Sequence, residues 1–370
     1  NLSGLSNENP TVIVSAGSGT ACILAQDGNF IHCSGTGVGG GTVLGLSKLL
    51  LEKGYHVIGG DRRSASNTFW RLKKLKILNE VEIINFDICE QSNIIDTIKK
   101  FKPDEVYNLA AQSFVGSSFD LPIVTSDSTA IGTTRLLEAI RKNSNNTKFY
   151  QASSSEMFGK VLRSPQTEKT PFYPRSPYAV SKVYSHMMTV NYRESHNLHC
   201  SNGILFNHES PLRGENFVTR KITLAFSRIF YGKQKYLEIG NLDAKRDWGF
   251  AGDYVKGMKL MLSHEKPDDW VLASGETHTV QEFVELAFNY VGLNWADYVV
   301  TSKKYYRPNE VNHLLGDPTK AKKQLGWKPE LDFKGLVDLM VESDIKLAQQ
   351  EKVLLQQGLI SPTWENPKQI

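Results

Sequence analysis

The chain reads as an α/β protein built on a doubly wound parallel sheet with a smaller C-terminal α/β portion. Three observations carry this. Short apolar runs alternate with amphipathic stretches through the first two hundred residues, a glycine-rich turn precedes the first helical stretch, and the alternation breaks after Asn207. Strands separated by helices imply parallel pairing through right-handed crossovers. The 370 residues suffice for one large or two smaller domains.

Residues 11–15 read as a first strand, and 30–34 as a short, polar one. Residues 42–53 read as a helix, with Leu44, Leu46, Leu49, Leu50 and Leu51 largely on one side and Gly54 where a C-terminal cap would sit. Strands are expected over 55–60, 81–86, 105–110, 148–152 and 200–206. Helices are expected over 91–100, which Pro103 closes, over 133–141 and over 177–194. Beyond Asn207, loops rich in Arg, Gly and Pro mix with shorter helices at 280–290 and 333–347, and the last twenty residues read as a loosely held tail. The expected division is a dinucleotide portion over 11–206, joined by 245–275. A substrate portion takes 207–244 and 276–345, and the tail is 346–370.

A net charge of +4, scattered along the chain, builds no nucleic-acid face and is compatible with an anionic substrate. No apolar run approaches a membrane span, and no basic-then-apolar leader is read at the N-terminus. Cys22, Cys33, Cys89 and Cys200 lack C-x-x-C spacing and read as reduced thiols of a cytoplasmic protein. His208 and Glu209 have no third partner at metal spacing, so packing or hydrogen bonding is expected of them and no metal.

In such sheets ligands bind beyond the carboxyl ends of the strands. That places the candidate cofactor residues Asp87, Ile88, Leu109, Ala110 and Ala111. Glycines let backbone approach a pyrophosphate at a helix N-terminus. Two turns compete for this role: Gly17–Gly19, and 36–43 with Gly37 and Gly40. Either 17–33 is an insertion, or this end of the chain has diverged. After the next strand, Asp61 suits an adenosine ribose, while Arg62, Arg63 and Ser64 suit a 2′-phosphate, so NADP is expected.

Tyr178 and Lys182 stand four apart and share a helix face. An ammonium beside a phenol favours the phenolate, a base for an alcohol proton. Ser154 would hold a substrate oxygen. Glu156 adds a second proton-transfer group, which plain alcohol oxidation does not need.

Several stretches, in order, resemble the GDP-mannose 4,6-dehydratases, extended short-chain dehydrogenases/reductases with a Rossmann-like fold. They include Asn108-Leu109-Ala110-Ala111-Gln112-Ser113, Gln151-Ala152-Ser153-Ser154-Ser155-Glu156 and Pro174-Arg175-Ser176-Pro177-Tyr178. Phe206-Asn207-His208-Glu209-Ser210-Pro211, Arg246-Asp247-Trp248-Gly249 and Tyr306-Arg307-Pro308 continue the match, which covers 36 to about 345. Ser154 stands where the family usually has threonine. The resemblance implies a GDP-sugar substrate and an NADP reduced and reoxidised within one turnover. Ser154, Glu156, Tyr178 and Lys182 would be catalytic, with Tyr178 and Lys182 also holding cofactor. Ser113, Asn207, Lys221, Arg246, Arg307 and Glu310 would hold the sugar nucleotide. It also implies a homodimer or homotetramer built through helices beside the active site and the Arg-Arg-Ser loop. Related reductases and epimerases keep Tyr178 and Lys182 without needing Glu156. A GDP-heptose in place of mannose, and a pseudoenzyme that only binds cofactor, stay open on sequence alone.

Overall fold

The computed structural model describes residues 11–16, 21–30, 39–62, 69–306, 309–311 and 313–362. The described elements open with β1 (Thr11–Ala16) and β2 (Ala21–Phe30), followed by α1 (Gly39–Glu52), β3 (His56–Asp61), α2 (Trp70–Leu75), β4 (Glu82–Asn85), α3 (Gln91–Phe101) and β5 (Glu105–Leu109). Next come α4 (Ser117–Asp120), α5 (Pro122–Ser126), a π turn (Asp127–Ile131), α6 (Gly132–Asn143), β6 (Lys148–Ser154), α7 (Pro177–His196) and β7 (Cys200–Leu205).

β4, β3, β1, β5, β6 and β7 pair in parallel in that order, with Val14 level with Gly59 and Tyr107, and Tyr107 level with Tyr150. The order reverses direction between β1 and β5, the switch point where a doubly wound sheet opens a crevice. β5 and β7 are buried along their whole length, as strands covered on both faces must be. β2 runs antiparallel along β3, Cys22 opposite Gly60, and touches β5 through Leu24 and Val106. Both N-terminal strands thus register on the same two neighbours. Of the expected 30–34 strand only Phe30 is described, as the end of β2; Gly17–Gly19 and Gly37 lie outside the described residues.

Local signals explain several helix ends. Glu90 caps α3, accepting from Ser92 N at 3.2 Å, and Lys102 closes it in the left-handed region at φ 40°. Ile94, Ile98 and Phe101 form its buried face. α1 starts three residues earlier than expected because the glycine run itself winds into the first turn.

β8 (Asn207–Glu209), α8 (Val218–Phe230), β9 (Leu237–Ile239), β10 (Lys245–Arg246) and β11 (Trp248–Phe250) follow. The chain then returns to the sheet with α9 (Ala251–Ser263) and β12 (Asp269–Leu272), an edge strand parallel to β7. β13 (His278–Thr279), α10 (Val280–Asn289), β14 (Val299–Thr301), α11 (Thr319–Leu325) and α12 (Phe333–Gln356) complete it. One apolar cluster joins the sheet to α1, α3, α6 and α9. A second gathers Ile222, Phe226, Trp248, Phe283, Leu336 and Met340. α12 runs to Gln356, past the expected end at 347, because Ala348 is buried and Glu351 takes two bonds from Arg228, at 2.7 and 2.9 Å. No helix among the described residues is long and apolar enough to cross a membrane.

Candidate active site

The end of β6 and the start of α7 meet beside the switch point. Ser176 caps α7 by accepting from Ala179 N at 3.1 Å, and Pro177 occupies its first turn, so Tyr178 enters the helix at once. Ser154 ends β6 and accepts from Glu156 N at 3.2 Å, turning the chain into a short 3₁₀ segment that holds Glu156 at the surface of the same cleft. That cleft is lined by Thr42, Leu109, Ala111, Ser113, Ser154, Glu156, Tyr178, Lys182, Asn207, Arg213 and Phe217. The four expected catalytic residues therefore share one wall.

Electrostatics correct one expectation. Lys182 Nζ lies 5.8 Å from the Tyr178 ring centre and donates to Ala152 O at 2.7 Å. Burial pushes the Tyr178 phenol up to about 12, with Glu156 adding to the rise and Ser154 and Arg213 opposing it. Burial alone draws the Lys182 amine down to about 7. Among the protein's own groups, burial drives both towards their neutral forms, and the pairing read from the four-residue spacing does not by itself yield a phenolate.

On the cofactor side, Gly40 lies in the first turn of α1, and buried Thr42 faces the cleft with Leu109 and Ala111. Ala110 N donates to Asn108 Oδ1 at 3.2 Å, and Asn108 Nδ2 is tied to Gln151 at 2.8 Å, which fixes the turn after β5. Asp87 accepts from Cys89 N at 2.9 Å. Ile88 is buried so closely against Gly132 that a Cβ there would stand 2.7 Å from Ile88 Cγ1. Asp61 is buried at the end of β3 and Arg62 exposed; Arg63 and Ser64 lie outside the described residues. A helix N-terminus opening onto the same cleft as Tyr178 and Lys182 fits a dinucleotide.

The expected substrate residues divide. Ser113 and Asn207 line the cleft, and Asn207 Oδ1 is buried with no hydrogen-bond partner among the described residues. Lys221, Arg246 and Glu310 do not line it. Arg246, buried, pairs with Glu310 at 3.2 Å, and Glu310 borders a second pocket with Lys160, Arg175 and His313. Lys221 stacks on Tyr305 at 3.5 Å, and its amine is lowered to about 8 by burial and by Lys304. Arg307 lies outside the described residues.

Sequence reasoning missed Arg213 and Phe217. Arg213 pairs with Glu209 at 2.9 Å and stacks on Phe217 at 3.8 Å over one side of the cleft. Residues 209–217 are not helical, so their spacing carried no signal, and the loop's fold alone brings them to the cleft. Glu209 also accepts from Thr219 at 2.7 Å, and His208 stacks on Tyr254 at 4.9 Å, so both are engaged in packing and hydrogen bonding.

A doubly wound sheet with Ser, Tyr and Lys gathered at its switch point defines the extended short-chain dehydrogenase/reductase scaffold. The family model for GDP-mannose 4,6 dehydratase matches residues 36–340. GDP-mannose 4,6 dehydratase 1 of Arabidopsis thaliana is 53% identical, covering 87% of this chain and 92% of that protein. Among solved structures, dTDP-glucose 4,6-dehydratase from Bacillus anthracis in complex with NAD superposes with a TM-score of 0.73 at 21% identity, over 86% of this chain and 97% of that one. RMD from Pseudomonas aeruginosa complexed with NADPH gives 0.66 at 24%, over 72% and 91%. The chain belongs to the GDP-mannose 4,6-dehydratase family.

Proposed function

We propose that the protein converts GDP-mannose into GDP-4-keto-6-deoxymannose, and that NADP is the cofactor it holds. The observation that carries the reading is Glu156, a carboxylate on the same wall as Ser154, Tyr178 and Lys182. Reductases and epimerases on this scaffold need only the last three.

Bound NADP supplies a hydride acceptor for C4 of the sugar and, later in the same turnover, the hydride donor to C6. Tyr178 takes the C4 hydroxyl proton, and Lys182 supports it with its position set by Ala152 O. Positive charge brought near the phenol by the oxidised cofactor would oppose the burial that holds it up at about 12. Ser154 holds the C4 oxygen as it becomes a carbonyl. That carbonyl acidifies C5–H, whose proton Glu156 removes; Glu156 then gives a proton to the departing C6 hydroxyl, which leaves as water, and the proton Tyr178 took from the C4 hydroxyl would return to C5 as C6 receives the hydride. Ser113 and Asn207 orient the sugar, and the unpartnered Asn207 Oδ1 suits a hydroxyl donor. Lys221, Arg246, Arg307 and Glu310 hold the nucleotide.

Gly37, Gly40, Asp87, Ile88, Leu109, Ala110 and Ala111 surround the dinucleotide, with Arg62, Arg63 and Ser64 at its 2′-phosphate. The dinucleotide portion comprises 11–206 and 245–275, and the sugar-nucleotide portion 207–244 and 276–345. The free thiols Cys89 and Cys200 suit a reducing, cytoplasmic setting. The assembly is a homo-oligomer joined through α5, the π turn and α7, where Ile123 is 80% exposed and Val124, Val180 and Met187 are exposed beside it.

The decisive experiment is anaerobic incubation with GDP-mannose and either NADP or NAD, followed by mass analysis of the sugar nucleotide. Loss of one water without net reduced cofactor, faster with NADP, is expected. Unchanged GDP-mannose with both cofactors would overturn the reading; turnover with GDP-heptose in its place would move the substrate.

A further inference from the structure

His186 lies one helical turn beyond Lys182, so Tyr178, Lys182 and His186 form one stripe along α7 at four-residue steps. It does not line the cleft. It is buried, with Nδ1 3.0 Å from Ser153 Oγ and Nε2 3.6 Å from Asp269 Oδ2 on β12. Asp269 is held by Arg193 at 3.0 Å and by Asn202 at 2.8 Å, and Asn202 Nδ2 also reaches His186 O at 3.3 Å. The edge of Phe172, 5.1 Å away between ring centres, packs against the imidazole. A carboxylate facing Nε2 holds the ring hydrogen there and leaves Nδ1 to accept from Ser153. Burial keeps the ring neutral, against the pull of Asp269.

Ser153 sits between two residues that touch the candidate catalytic groups. The carbonyl of Ala152 accepts from Lys182, and the Ser154 hydroxyl binds Glu156 N and interacts with Tyr178. Three consecutive residues at the end of β6 therefore engage Lys182, His186 and the Glu156–Tyr178 wall in turn. The ladder to β7 ends at Ser154, opposite Leu205, and beyond it the backbone bonds Phe158 N to Ser155 O and Tyr173 N to Met157 O, both 3.1 Å, continue the hold; Ser153 Oγ also reaches Asn202 Oδ1 on β7 at 3.4 Å.

We infer that His186 is a positioning residue: through Ser153 it locks the end of β6 against α7, and so keeps Ser154, Glu156 and the Lys182 acceptor in register with Tyr178. The inference rests on the roles proposed above for those four residues. A buried neutral hydrogen bond adds only modestly to folding. A displacement of about 1 Å between reacting groups can cost up to about a hundredfold in rate. Loss of the His186–Ser153 contact therefore falls on turnover far more than on the fold.

The test uses the full chain with NADP and GDP-mannose, three single variants and one double variant. Ser153→Ala removes the contact with the least change in volume, His186→Leu removes it from the helix side, and His186→Asn keeps a polar group near Nδ1. Ser153→Ala and His186→Leu should each lower kcat roughly tenfold, leaving KM within about twofold. The double variant should be no worse than either, and His186→Asn should recover most of the rate. Hydrogen exchange over residues 152–157, read without substrate, should quicken in the first two variants and return in the third. Wild-type kcat in Ser153→Ala, additive losses in the double variant, equal losses in His186→Asn and His186→Leu, or unchanged exchange would each overturn the inference. A wild-type chain that dehydrates neither sugar would sink the dehydratase reading alone, and exchange at 152–157 would still decide the role of His186.

Discussion

Glu156 and Lys182 carry the sharpest expectations at the scale of single residues. Glu156→Gln keeps the size of the side chain and removes its basicity. Cofactor binding should be retained and product lost, with reduced NADP building up on addition of GDP-mannose because the C5 proton has no acceptor. Absorbance of the reduced cofactor and mass analysis of the nucleotide check this together. Lys182 titrates near 7 in the fold and at 10.5 when unfolded. A depressed amine contributes stability above its unfolded value, and that contribution is lost as pH falls through the folded one. Lys182→Met removes this dependence. The variant should therefore melt above the wild type at pH 7, with the gap narrowing steadily as pH rises towards 10. A gap independent of pH would contradict the burial that sets this amine. The spacing of Tyr178 and Lys182 was plain in the sequence. The direction of their titration was not, because desolvation depends on what the sheet and α7 pack around them.

Between elements, buried ion pairs do what spacing could not announce. Arg220 on α8 donates to Asp344 on α12 at 2.8 Å, and Thr223 adds a bond to the same carboxylate at 2.6 Å. Both charged partners are almost wholly buried. Arg220→Ala leaves Asp344 uncompensated and should cost about 3–5 kcal/mol in urea unfolding, the cost of a buried charge stripped of its partner. Glu351→Ala, at the more open end of the same helix pair, should cost less, because its carboxylate is 15% exposed against 0% for Asp344. Equal losses would mean that the two pairs are equally desolvated. The expected end of α12 at 347 fell short for the same reason. The turn after 347 is polar, Gln349-Gln350-Glu351-Lys352, and its partner on α8 lies more than a hundred residues away. By contrast, α3 and α7 were legible because Pro103, Ser176 and Pro177 act within a turn of the residues they organise.

For the molecule as a whole, the exposed aliphatic face on α5, the π turn and α7 predicts association. Val180→Asp with Met187→Asp should shift the protein towards the monomer in sedimentation at micromolar concentration, since a desolvated carboxylate opposes burial of that face. A monomeric wild type, or an unchanged assembly in the variant, would move the interface elsewhere. The parallel pairing of the strands, and the placing of Ser154, Glu156, Tyr178 and Lys182 near their carboxyl ends, were legible in the sequence itself. Apolar runs alternating with amphipathic ones dictate parallel crossovers, and those crossovers put strand ends on one edge. Tertiary structure alone decided that Arg246 faces Glu310, that Arg213 and Phe217 border the cleft, and that His186 reaches Ser153 and Asp269. These contacts join residues on different elements, so their geometry, and the desolvation that sets their charge, exist only once the chain has packed.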